Sequence, residues 1–205
     1  MPKSISSRAV AAALLAIGIG YIGGPLAFAS SFQAVTKGLP WSSRRLNWSD
    51  YRGTPDMSAE AAAMTVYQID YAEECHGDSF SFSVVSRFQP ERSWVRPAVL
   101  AAPARAAQLL DHEQLHFDLS EVHARQLRQW LAGLAHPCDM TTAQREKGLQ
   151  DRVRDNAATQ LRYDRETDFG RDARAQARWL ADTTRALEHT ASWSARGGWT
   201  RSGPS

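Results

Sequence analysis

The spacing of apolar residues changes once along this chain, and that change restricts the fold more than any other feature. In Met64-Thr65-Val66-Tyr67-Gln68-Ile69-Asp70-Tyr71 and in Phe80-Ser81-Phe82-Ser83-Val84-Val85-Ser86-Arg87-Phe88, large side chains recur at every second position. That period places them on one face of a half-buried antiparallel sheet, with the turn in Glu73 to Ser79 around Gly77. Ser93-Trp94-Val95 can add a short strand. Beyond Pro103 the spacing becomes three and four: Leu109, Leu110, Leu115, Leu119, Val122, Leu127, Trp130, Leu131 and Leu134. This predicts one long helix, stopped at His136-Pro137 because proline lacks an N–H and restricts the residue before it.

Two further helices follow. Thr141 or Thr142 can cap the second, which carries Leu149, Val153, Ala157 and Leu161 at four-residue intervals and ends near Tyr163. Past Gly170, the third has Ala173, Ala177, Leu180, Thr184 and Leu187 along one side. The expected fold class is therefore α+β, a small antiparallel sheet followed by three helices. At 205 residues the chain suits one domain, expected over residues 46–190, with an N-terminal extension at 30–45 and a loose tail from 191 to 205.

The beginning reads as a leader. Lys3 and Arg8 precede an apolar run from Ala9 to Ile22, then Gly23-Gly24-Pro25 and Ala27-Phe28-Ala29, the order of a signal peptide cleaved after Ala29. The competing reading is an uncleaved anchor, since no charge falls between Arg8 and Lys37; the glycines and Pro25 weaken such a helix. Export to the periplasm or outside is thus the expectation, with no stable membrane insertion once the leader is removed. It also bears on charge: losing Lys3 and Arg8 from 24 basic and 22 acidic residues leaves 22 of each. A nucleic-acid binder keeps a basic surplus against phosphate, so no nucleic-acid partner is expected. In an oxidising compartment Cys75 and Cys138 are expected to form a disulfide worth about 4 kcal/mol on the chain-entropy model; the alternative, Cys75 with His76 at a metal, has no CxxC spacing behind it.

Chemistry concentrates on the first helix, at His112-Glu113-Gln114-Leu115-His116. Histidines four residues apart on a helix project from the same face and can share one ion. Zinc suits two neutral imidazoles plus a third protein ligand and an open position, with Glu113 as the general base that takes a proton from water and returns it to the leaving amine. Glu121 points away from that face and is read as an ion pair with Arg125, four residues on. His123 returns to the ligand face about 10 Å along the axis and reads as a surface or pocket-rim histidine. Asp111 and Asp118 either orient a ligand ring or are simply solvated. His76, His136 and His189 have no partner pattern, and the alternating charges of Glu146 to Arg174 describe a solvated face.

The residues around this core carry a resemblance. Leu110-Asp111-His112-Glu113-Gln114-Leu115-His116-Phe117-Asp118-Leu119 with Glu121, Ala124 and Arg125, the upstream Trp48-Ser49-Asp50-Tyr51-Arg52-Gly53-Thr54-Pro55, Ala62-Ala63-Met64-Thr65 and Ser93-Trp94-Val95, and the downstream Tyr163-Asp164-Arg165-Glu166-Thr167 together resemble a bacterial family, domain of unknown function 922, described as predicted secreted zinc-dependent proteases with an HEQ-x-HFD core. The resemblance implies a zinc metallopeptidase acting on peptide or protein substrates of the cell envelope. It also implies a histidine in a downstream Thr-x-His-Gly segment as third ligand, where this chain reads Thr167-Asp168-Phe169-Gly170. Phenylalanine cannot ligate zinc. The nearby carboxylates Asp164, Glu166 and Asp168 are the substitutes, Asp168 foremost because it adjoins the marked position; the alternative is a chain that has lost its metal and keeps the fold to bind a partner.

Overall fold

The structure, a computed structural model, describes residues 18–21, 38–42, 44–194 and 199–201. Its α+β architecture follows the change of period. Strands β4 (Tyr67–His76) and β5 (Ser79–Phe88) form an antiparallel hairpin in which Tyr67 faces Phe88 and Tyr71 faces Val84. Gly77 makes the turn at φ +57°, in the left-handed region that glycine enters without a Cβ penalty. The odd residues of β4 and the even residues of β5 form the inner face: Tyr67, Ile69, Tyr71, Phe80, Phe82, Val84 and Phe88 are all buried.

Around this hairpin the sheet is small. Strand β2 (Leu39–Pro40) pairs with one end of β5 and β7 (Trp199–Arg201) with the other, both antiparallel. Strand β1 (Gly18–Tyr21) lies parallel to Gln68–Tyr71 of β4, although it belongs to the segment expected to be a leader. The expected cleavage point after Ala29 lies outside the described residues. A separate two-stranded sheet joins β3 (Ala63–Met64) to β6 (Trp94–Val95). The short helix α1 (Pro97–Leu100) then leads into α2 (Pro103–Ala132).

Helix α2 lies on the inner face of the hairpin. Phe117, Ala124, Leu127 and Leu131 join the strand residues in one core, each fully buried Phe or Leu contributing about 2 kcal/mol. Between helix and sheet, Ser86 and Ser120 meet at 2.6 Å between hydroxyls, satisfying each other where a larger residue would push the helix away. Further along α2 the buried charges are also paired. Glu121 accepts from Arg125 at 2.9 Å and from Arg128 at 3.0 Å, and Arg128 reaches the carbonyls of Val84 and Trp193. Trp193 belongs to the stretch expected to be a loose tail, which instead carries a 3-10 turn (Ala191–Trp193) and strand β7.

Helices α3 (Thr142–Glu166) and α4 (Ala173–His189) both rest on α2. Thr141 caps α3 through a capping box with Gln144. The disulfide expected between Cys75 and Cys138 is present and ties the end of β4 to the α2–α3 connection.

The stripes expected on these two helices are corrected. Residues spaced by four drift about 40° per step around a helix of 3.6 residues per turn, so the row that starts at Leu149 has left the interface by Leu161, which is 46% exposed. The side chains that stay inside are Asn156, Gln160, Tyr163 and Thr167, a polar row at true helical period. On α4 the inward residues are Ala175 and Thr183, while Leu180 is 52% exposed.

Candidate metal centre

That polar row of α3 faces the histidines of α2. Both rings are buried, His112 at 2% and His116 at 3% exposure, and their Nε2 atoms lie 3.3 Å apart. A single oxygen stands opposite: Asp164 Oδ1 is 3.2 Å from Nε2 of His112 and 2.9 Å from Nε2 of His116. Asp164 is on the last turn of α3, one residue past Tyr163.

The backs of the two rings are held as well. Nδ1 of His116 lies 2.6 Å from Oε1 of Gln160, whose Nε2 in turn donates to the His116 carbonyl at 3.1 Å. That second bond fixes the amide so that its oxygen meets the ring, and Nδ1 must then carry the hydrogen. Nδ1 of His112 faces Oε1 of Gln176 on α4 at 3.3 Å. Tyr163 stacks on His112 with centroids 4.6 Å apart, and its hydroxyl reaches both the His112 carbonyl and Gln176. Each imidazole therefore turns its Nε2 toward the Asp164 carboxylate, and that nitrogen is the one a metal would take in place of a proton.

The spacing fits an ion. Three donors bound at about 2.0 to 2.1 Å in tetrahedral directions stand about 3.3 Å from one another, close to the separations found here. Two imidazoles and one carboxylate are a donor set that zinc accepts with one position left open. Beside them Glu113 is 4% exposed, and its Oε2 is buried without a hydrogen-bond partner among the described residues. A buried carboxylate oxygen without a partner is costly, and this carboxylate is close enough to the cluster to act on the charge of His116.

The protein's own charges show the same tension. Burial pulls the His116 imidazolium down, but the Asp164 carboxylate beside it, helped by Glu113 and Gln160, outweighs burial and pushes it up to about 9. Burial favours the neutral acid at Asp164, yet the two imidazoles hold that carboxyl well below the ordinary carboxylate range. The cluster is thus an anionic oxygen between two bases, ready to exchange protons for a cation.

The expected ligand Asp168 is not part of this cluster, and its placement is corrected. It is exposed, with both carboxylate oxygens on Arg171. The reason is the backbone: α3 ends at Glu166, and Asp168 and Phe169 turn through left-handed φ of 50° and 54°, which carries their side chains outward. Phe169 is 42% exposed beneath the Arg171 guanidinium. Glu166 accepts from the Trp179 indole instead. Gly170 closes the turn at φ +77°, and a Cβ there would lie 2.9 Å from Cβ and Cγ of His112, so this glycine permits both the turn and the approach.

Other motif residues have positions that spacing alone did not reveal. Gln114 accepts from the Leu46 amide at 2.7 Å and donates to Asp118, which also accepts from Trp41 at 2.8 Å. Both lash the segment before the 3-10 turn at Trp48–Asp50 onto α2, so Asp118 orients no histidine. Asp111 pairs with Arg45 at 2.7 Å, and Phe117 packs on Phe88. His123 lines a cavity of about 20 Å³ with Leu127, Leu149 and Asn156. Gln160, Tyr163 and Gln176 were not singled out from the sequence for the roles they have; the signal available was that Asn156, Gln160, Tyr163 and Thr167 keep a helical period of their own.

Comparison with known protein families gives a match. The family described as bacterial protein of unknown function (DUF922) covers residues 43–170. No curated protein and no solved structure matches.

Proposed function

The chain belongs to the DUF922 family of bacterial proteins, and from that premise we propose that it is an exported zinc-dependent metallopeptidase with His112, His116 and Asp164 as metal ligands. The observation that supports this reading most is the triangle of two Nε2 atoms and one Oδ1 at 3.3, 3.2 and 2.9 Å. A zinc ion there would supply Lewis acidity and bring the pKa of its water down to about 7. The chain supplies the rest. Glu113 takes a proton from the attacking water at Oε2, the oxygen left without a partner, and returns it to the nitrogen of the peptide bond as the C–N bond breaks. Gln160 and Gln176 hold the ligand rings by their Nδ1 hydrogens, and Tyr163 keeps His112 from rotating.

The test is metal content and hydrolysis together. The reading expects about one zinc per chain, lost in Asp164→Ala and retained in Glu113→Gln, with chelator-sensitive peptide hydrolysis abolished by Glu113→Gln. Protein purified under zinc-replete conditions without bound metal would overturn it. The burial of both imidazoles favours a second reading, a metal-holding envelope protein without catalysis; it expects the same zinc stoichiometry and no hydrolysis of any peptide pool. Export rests on the leader, and detection of a mature N-terminus at Ser30 in the periplasmic fraction would support it.

A further inference from the structure

Helices α3 and α4 meet at Tyr163 and Trp179, whose rings are 5.3 Å apart, and leave between them a groove of about 360 Å³ with Leu119 of α2 among its lining residues. That is the lower end of volumes that hold small organic ligands. We propose that this groove binds the C-terminal carboxylate end of an apolar peptide. The inference deepens the peptidase reading, on which its biological meaning rests, while the binding itself is a property of the groove alone.

The charges decide the class of ligand. Of the acids lining the groove, Glu166 already accepts the Trp179 indole N–H at 2.9 Å and lies 4.0 Å from Arg162. Asp182 is bonded to Arg185. Arg162 lies over the Trp179 ring at 5.2 Å. Arg178 lines the same groove and has no hydrogen bond or ion pair among the described residues, so the one uncommitted charge is a guanidinium, suited to a carboxylate.

A second observation comes from Thr183, which also lines the groove. It is 3% exposed, and its Oγ1 is buried without a hydrogen-bond partner among the described residues. Natural proteins rarely leave such a group unpaired, and a carbonyl or carboxylate oxygen in the groove would accept its hydrogen. Trp179, Leu119 and Ala186 provide apolar surface beside it. Trp179 also stands one aromatic ring from the metal ligands, since Tyr163 lies between it and His112.

The experiment uses the full chain as the zinc-loaded Glu113→Gln variant, titrated with acetyl-Ala-Phe and with its C-terminal amide and followed by calorimetry. The free acid is expected to bind at least about tenfold more tightly than the amide, as one charge-assisted hydrogen bond provides. Arg178→Gln should erase that preference, Thr183→Val should weaken the acid severalfold, and Arg174→Gln, on the same helix but outside the groove, should change neither. Equal binding of acid and amide, a preference that survives Arg178→Gln, or no binding of either overturns the proposal. If the parent hydrolyses no peptide while the acid preference stands, the groove survives and the peptidase reading falls; hydrolysis with equal binding gives the reverse.

Discussion

Helix α2 holds three histidines against α3, and the two ends of that contact treat them in opposite ways. At one end His112 and His116 face a carboxylate and lie against amide oxygens. Toward the other, His123 faces Ile69, Leu149 and Val153, with Arg152 and Asn156 at the edges of the cavity. Burial pulls its imidazolium down to about 4, against a small opposing pull from Asp155, whereas Asp164 lifts His116 to about 9. Loss of water alone thus gives a base that refuses protons, and a facing carboxylate gives a base that keeps them. What separates them is the residue α3 presents, so the opposing helix, more than the HExxH pattern, decides which imidazoles can serve a cation.

The sharpest way to break the contrast is to remove the carboxylate. Asp164→Ala should lower zinc affinity on the order of a thousandfold by deleting one of three ligands, read by competition with a chromogenic chelator. His123→Gln should leave that affinity unchanged.

Acid and alkali separate the two ends next. The folded-state pKa of His123 is depressed from 6.5 to about 4, so below pH 6.5 the unfolded chain takes up a proton the folded chain refuses. Its contribution is present above about pH 6.5 and lost as the pH falls to about 4, about 3 kcal/mol in all. For His116 the sign reverses in metal-free protein: the pKa is raised, so its contribution is full below about pH 6.5 and lost as the pH rises through about 9, again about 3 kcal/mol. Denaturant titrations of the metal-free parent against His123→Gln and His116→Gln across pH 4 to 9 should show these opposite slopes as differences.

A smaller effect tests the backs of the rings. Gln160→Leu keeps all three ligand atoms but frees the His116 ring, and zinc affinity should fall about 10- to 100-fold, with little change in thermal midpoint once zinc saturates. The smallest is expected at Leu161, the apolar residue whose spacing pointed inward. Because it is exposed, Leu161→Ser should shift stability by less than about 0.5 kcal/mol, measured by urea denaturation.

Much of this was legible in the sequence for a physical reason. Period two at 64–88 and the three- and four-residue spacing after Pro103 are direct consequences of which face is buried, so the hairpin and α2 were readable. The cysteine pair needed only the compartment argument. Spacing by four brought His112 and His116 to one side of α2 without knowledge of any partner. One failure turned on where a helix stops. Asp168 looked favoured because it adjoins Phe169, but α3 runs to Glu166 and then reverses through two left-handed residues, so the inward carboxylate is the one four residues earlier. The row Leu149, Val153, Ala157, Leu161 misled because apolar letters were followed while the helix's own rotation was not. Gln176 was hidden for a different reason: its role exists only once α4 folds back beside α2, a contact across 64 residues.

Gln176 lies past residue 170, where the family match ends. A fragment trimmed to the matched stretch would thus retain every candidate donor atom while forfeiting the prop behind one ring. Such a fragment would satisfy any inventory of ligands and still grip its cation loosely, which makes the boundary of the working unit a matter of what steadies the donors rather than of where they are written.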